Sequence, residues 1–219
     1  MTLRRDPDQL YRSPLLEAES WLEHAFGTAS AVPPGPFLAL KQVHSARVAG
    51  AGDWHAALEA DGLVSARPGE RIAVKSADCV PILFADPVRR AVAAVHAGWR
   101  GTVAGVAAAG VEALVRQFGS RPGDLRVALG PSIGPCCFEV GPEVSVLFRN
   151  RFPDWDTAEG RAKIDLREAN RLILIDNGVP ARQISANAPC TCCGGKEFFS
   201  WRRDRQTGQR MFAVIGIRE

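Results

Sequence analysis

A mixed α/β fold of α+β type is what three features of this sequence predict. Short apolar runs rich in Val, Ile, Leu and Ala recur between Gly, Pro and Asp breaks, the pattern of strands. Two longer stretches carry helix punctuation at both ends. Strands and helices follow one another without strict alternation, which points to mixed sheets sandwiched by helices in a single domain spanning 1–219.

Taken in order, residues 1–36 read as peripheral, with a helical pattern over 15–26 and the breaker Pro33-Pro34-Gly35-Pro36 after it. Strands are expected at 37–43, 62–65, 71–76, 81–84 and 91–95. A helix is expected over 102–118, with Thr102 as N-cap and Gly119 just past its end. Strand 126–129 runs into the turn Gly130-Pro131-Ser132-Ile133-Gly134-Pro135. A second helix covers 165–177 and is closed by Gly178. Strands at 184–186, 198–202 and 211–217 finish the chain.

At 219 residues with 46% hydrophobic and 23% charged side chains, the chain can bury a sizeable core. A net charge of +3 argues against nucleic-acid binding, and Arg202, Arg203 and Arg205 read as a solvated face. Residues 1–20 lack the apolar segment of a signal peptide, and no apolar run is long enough to span a bilayer. The expected location is therefore cytoplasmic, where thiols stay reduced. Six cysteines with adjacent pairs at Cys136-Cys137 and Cys192-Cys193 make a poor disulfide framework and turn attention to metal or thiolate chemistry.

Of the four histidines, His44 and His96 each end a strand-like run. Cys79 lies between them in the polar break Ser76-Ala77-Asp78-Cys79-Val80-Pro81. Singly, a histidine is more often structural than a ligand and a lone cysteine is a small buried hydrophobe. The separations, 35 and 17 residues, fit no local finger motif, so spacing alone does not bring the three together. If they converge, two imidazoles and one thiolate suit zinc and leave a fourth position open. Beside them Gly98 and Gly101 would let the backbone approach a ligand, and Arg100 could clamp an anion at a helix start. On spacing alone, an ordinary strand-to-helix turn is the favoured reading of the same residues. Cys190, Cys192 and Cys193 with Cys136 and Cys137 could bind a structural zinc. Their C-x-C-C spacing lacks paired C-x-x-C knuckles, however, so close packing beside a loop is the expectation for Cys136 and Cys137.

Several strings then carry a resemblance: Gln42-Val43-His44, Ala60-Asp61-Gly62-Leu63-Val64, Asp78-Cys79-Val80-Pro81 and His96-Ala97-Gly98-Trp99-Arg100-Gly101. Gly130 to Val140 and Phe198-Phe199-Ser200-Trp201-Arg202-Arg203-Asp204 extend it over roughly four-fifths of the chain. The chain resembles the bacterial laccase-domain family, also called the multicopper polyphenol oxidase or peptidoglycan-editing-factor family, whose members are described as purine nucleoside phosphorylases. The resemblance implies a zinc cofactor on His44, Cys79 and His96. It also implies phosphorolysis of adenosine, inosine, guanosine and methylthioadenosine, together with adenosine deamination. It places Cys79, His96, Arg100 and Asp78 as catalytic residues, and Gln42, Gly98 and Arg100 as substrate contacts. The segment between Phe26 and Gln42 is shorter than the family's, and Thr207-Gly208-Gln209-Arg210-Met211 carries an apparent extra Gln. The expected partners are purine nucleosides and phosphate, not nucleic acid or membrane, on a monomer or small homo-oligomer. Three other readings stand beside this one: phenol oxidation by copper, a cysteine hydrolase with Cys79 as nucleophile and His96 as base, and a binding module without turnover. Four histidines are too few for a multicopper centre.

Overall fold

The structure is a computed structural model in which residues 1–153, 155, 160–205 and 208–219 are described. In chain order the first elements are β1 (Arg4–Arg5), β2 (Tyr11–Arg12), α1 (Pro14–Glu17), β3 (Leu22–Phe26), β4 (Leu38–Ala39) and β5 (Val48–Gly50). Next come β6 (Gly62–Ser65), β7 (Arg71–Ser76), β8 (Val80–Asp86), β9 (Ala91–Ala97), α2 (Trp99–Val103) and α3 (Val106–Phe118). The chain continues with β10 (Arg126–Leu129), β11 (Glu139–Val140), α4 (Pro142–Arg151), β12 (Ala162–Lys163) and α5 (Leu166–Asp176). It ends with β13 (Ile184–Ser185), α6 (Trp201–Asp204) and β14 (Met211–Ile217).

Two six-stranded mixed sheets form, with strand orders β1-β2-β3-β14-β7-β4 and β13-β10-β8-β9-β6-β5. Side chains alternate across a strand, so β8 and β9 can serve two cores at once. Ile82, Phe84, Ala93 and Val95 face α3 and α5, where they join Val111, Leu114, Ile173 and Leu174. Leu83, Ala85, Val92 and Ala94 face the first sheet, where they meet Ile72, Val74, Ala213 and Ile215. The layers are thus sheet, sheet and helices. Strands buried on both faces carry near-continuous apolar sequence, which is why β8 and β9 were visible in it.

The mixed sheets and helices expected from the sequence are present, with several local corrections. The 15–26 segment is not one helix: α1 is four residues long, and Leu22–Phe26 is an interior strand paired along β14. Of the expected 37–43 strand, only Leu38–Ala39 pairs with β7, because Gln42 then turns its side chain back onto Lys75. The expected 102–118 helix begins earlier and breaks. Gly105 sits at φ 84°, a conformation that suits a residue without Cβ, and it separates α2 from α3. Thr102 is therefore no cap. It is buried, and its Oγ1 accepts from Asn170 Nδ2 at 2.9 Å. The expected 198–202 strand is instead an N-cap: Ser200 Oγ accepts from the Arg203 amide and starts α6. Asp165 caps α5, and Gly119 and Gly178 follow α3 and α5 as expected. Thr207 of the extra-Gln stretch lies outside the described residues.

Candidate active site

The register of the β8–β9 pair places Cys79 one residue before Val80, which pairs with Ala97, so Cys79 and His96 share one end of the second sheet. His44 arrives from the loop after β4. One donor atom from each of His44, Cys79 and His96 lies within 4.8 Å of the others. The spacing alone could not establish that convergence; the sheet does.

What holds His44 there is Asp61, the residue before β6. Its carboxylate is fully buried and accepts five hydrogen bonds. The backbone N–H groups of Val43, His44 and Ser45 donate at 3.3, 3.0 and 2.6 Å, and Ser45 Oγ donates at 2.8 Å. His96 Nδ1 completes the set at 2.9 Å. Three successive amides can wrap one anion only where the backbone turns through the left-handed region, and His44 has φ 62°. Strain at a bulky residue persists where its surroundings over-determine it, and Asp61 does so here. The same carboxylate fixes His96, leaving Nε2 as its donor toward Cys79 and His44. Burial opposes ionisation of Asp61, but His96 and the Ser45 groups prevail and hold it at about 2.

Cys79 follows Asp78, which also has a left-handed φ, 89°. Asp78 Oδ1 accepts from Thr191 Oγ1 at 2.6 Å, and Oδ2 accepts from Ser200 Oγ at 3.1 Å and the Arg202 amide at 2.7 Å. Burial would raise the Cys79 thiol, but the charge and hydrogen bonds of His96, with those of His44, bring it down to about 6. Burial would lower His96, but the thiolate and Asp61 outweigh it and raise the ring to about 9. A proton shared by thiolate and imidazole is the one that metal binding displaces. Gly98 closes the cradle: a Cβ there would sit 2.9 Å from His44 Cδ2 and 3.0 Å from Cys79 Sγ. Two imidazoles, a soft thiolate and no room for a further side chain fit zinc.

The triad lies in a cavity of about 670 Å³, within the usual size of a small-molecule site. Gln42, Asp78 and Arg100 also line it. Gln42 is clamped to β7, its amide accepting from Lys75 N at 2.7 Å and donating to Lys75 O at 2.8 Å. Arg100 lies over the Trp99 ring at 4.2 Å. Lys75, Phe138 and Trp201 join the lining without having been singled out from the sequence. Asp61 was also missed as a site residue; its signals were an acid just before an apolar strand and its place in Ala60-Asp61-Gly62-Leu63-Val64, one of the strings that carry the resemblance. His24 and His55 stand apart: His24 is buried in the first sheet, accepting from Ser13 N at 2.9 Å, and His55 is exposed.

No helix among the described residues is long and apolar enough to cross a membrane. The chain is 40% identical over 205 residues to the purine nucleoside phosphorylase YlmD of Geobacillus stearothermophilus, covering 86% of this chain and 75% of that protein. It spans 63% of the Bacillus subtilis protein of the same name, at 38% identity. It is 43% identical over 191 residues to the adenosine deaminase RL5 of an unknown prokaryotic organism, covering 80% and 72%. The crystal structure of YlmD from Geobacillus stearothermophilus superposes with a TM-score of 0.86 at 31% identity, covering 99% of each chain. Residues 21–218 match the family described as multi-copper polyphenol oxidoreductase laccase, and the chain belongs to that family.

Proposed function

We propose that this chain cleaves purine nucleosides with phosphate, and deaminates adenosine, at a site where His44, Cys79 and His96 hold one zinc ion. The observation that carries this reading is the meeting of the three donors in a cavity whose lining is rich in basic side chains, Lys75, Arg100 and Arg202 among them. Among the described residues, no ion pair engages Lys75 or Arg100. Asp78, the one acid of the lining, already has both oxygens hydrogen-bonded. A dianion fits such a lining. Relatives named purine nucleoside phosphorylase and adenosine deaminase supply the reaction class.

A zinc ion held by His44, Cys79 and His96 would supply a Lewis acid for a phosphate or water oxygen. Arg100 and Lys75 bind and orient the phosphate, while Phe138 and Trp201 exclude water around the base. The phosphate oxygen bonds to C1′ of the ribose as the bond to the purine breaks. The base leaves with that electron pair and takes up a proton. This chemistry rests on positioning and electrostatics more than on covalent catalysis. In deamination, water replaces the amino group at C6 and ammonia leaves. Asp61 orients His96 and His44, and Asp78 positions Cys79 and the cavity wall; neither needs to touch substrate. Adenosine, inosine, guanosine and methylthioadenosine are the expected substrates. Phenol oxidation by several copper ions is disfavoured by donor count, since two of the four histidines lie away from the site.

The test is incubation with inosine or adenosine, with and without phosphate, following free base by chromatography. Phosphate-dependent release that Cys79→Ala abolishes supports the reading. No release by the unaltered protein, or equal release by Cys79→Ala, overturns it. A metal-free protein alkylated selectively at Cys79 would favour the cysteine hydrolase instead.

A further inference from the structure

Away from that cavity, four cysteines from two distant segments meet. The sulfurs of Cys136, Cys137, Cys190 and Cys193 all lie within 4.8 Å of one another. Cys190 and Cys193 stand three residues apart on a helical turn, closed where Gly194 N donates to Cys190 O at 2.9 Å. They are thus a C-x-x-C pair, and Cys192, which made the spacing read as C-x-C-C, does not join the group. Cys136 and Cys137 lie in a second turn, where Cys137 N and Phe138 N both donate to Gly134 O at 3.0 Å.

We propose that these four thiolates bind a second zinc ion, which pins the 190–195 loop to the 134–138 turn. Cys136 Sγ and Cys193 Sγ are 3.6 Å apart. A disulfide requires about 2.05 Å. Sulfurs at neighbouring corners of a zinc tetrahedron, with Zn–S about 2.3 Å, sit roughly 3.8 Å apart. Four sulfurs at such separations select zinc or iron over harder cations. The surroundings suit the net negative charge of a four-thiolate site. Gly134 N donates to Cys190 Sγ at 3.1 Å. Arg203 Nη1 donates to the carbonyls of Thr191, Cys192 and Gly195 at 3.2, 3.1 and 2.6 Å. Arg202 Nη1 donates to Cys137 O and Glu139 O, each at 3.0 Å. The arginines read from sequence as a solvated face thus grip both cysteine-bearing segments. Thr191, between two cysteines of the loop, donates to Asp78 beside Cys79, so the second ion fixes a wall of the first site.

The experiment measures zinc per chain by mass spectrometry of elements, on protein purified without metal-affinity steps. Two zinc ions are expected for the unaltered chain, one for Cys190→Ser/Cys193→Ser and one for His44→Ala/His96→Ala. A failure at the catalytic triad alone would leave the cysteine zinc in place, so the two readings separate. The unaltered protein supplies a test free of folding artefacts. Cys136 and Cys193 are solvent-exposed and should react with iodoacetamide if free. Protection of both, lost after chelation, supports the site. The proposal is overturned by equal alkylation before and after chelation, by a mass deficit of a disulfide, by iron in place of zinc, or by a cysteine double variant that keeps the full zinc content.

Discussion

Asp61→Asn is the perturbation that most directly tests how the triad is held. The side chain keeps its shape, but one oxygen becomes an N–H₂ donor. If that donor takes the Oδ2 position, it faces the Ser45 and Val43 amides, and two part-buried donors lose their acceptor. If it takes the Oδ1 position, it faces the His44 amide and His96 Nδ1. His96 must then move its proton to Nε2, which fills the lone pair a metal needs. Each unsatisfied donor costs about 1–3 kcal/mol, so the first arrangement destabilises the metal-free protein by roughly 2–6 kcal/mol and the second, which leaves only the His44 amide unpaired, by about 1–3 kcal/mol. Losing the carboxylate behind a ligating imidazole should also weaken zinc about 10–100-fold. Zinc affinity is read by competition with a chromophoric chelator, and stability by urea unfolding of the metal-free chain. Zinc affinity within about threefold of the unaltered protein, together with an unchanged urea midpoint, would refute the role given to Asp61.

Gly98→Ala has an ordinary φ of −74°, so backbone strain is absent and only the contacts with His44 and Cys79 count. It should cut zinc affinity at least about tenfold with the fold intact by circular dichroism. Lys75→Met and Arg100→Ala should each raise the KM for phosphate about tenfold or more while leaving adenosine deamination near its original rate, measured by ammonia release. His24 is held down to about 3 by burial, followed by the charge of Arg12, against 6.5 when unfolded. The native state therefore binds fewer protons than the unfolded chain between those values. Its stability is complete above pH 6.5 and falls by about 1.4 kcal/mol per pH unit as the pH drops toward 3. His24→Gln should flatten that slope in urea titrations across pH 4–7, and an unchanged slope would remove His24 as its source.

His44, Cys79 and His96 were legible as candidate donors because they stand where apolar runs stop, and β8 and β9 were legible because both faces are buried. The frame around them was not. Asp61 acts through three amides that gather only once His44 adopts a left-handed backbone, and no local pattern signals that. Leu15, Leu16, Leu22, Ala25 and Phe26 fit a helical repeat, yet pairing with β14 overrides that preference for the last three. Thr102 has the chemistry of a cap, but the helix begins three residues earlier and buries it against Asn170. Counting adjacent cysteines concealed the i, i+3 pair of Cys190 and Cys193, because Cys192 lies between them in sequence and outside the group in space.

Asp61 and Asp78 are both buried carboxylates beside a donor residue, yet they answer different questions, and Asp78→Asn separates them. Asp61 touches one of the three converging donors directly, through His96 Nδ1. Asp78 instead gathers Thr191, Ser200 and Arg202, and so ties the cysteine loop and α6 to the turn that carries Cys79. Asparagine tolerates a left-handed φ better than most residues, so at φ 89° the substitution changes hydrogen bonding with little added strain. The amide retains one acceptor oxygen and loses the other, loosening a wall of the cavity and not the triad itself. Zinc content should stay unchanged and the KM for nucleoside should rise about tenfold, with kcat reduced less. If kcat instead collapsed about a thousandfold at constant KM, Asp78 would act on the reacting atoms. Its contacts with Thr191 and Ser200 would then have to rearrange when substrate binds.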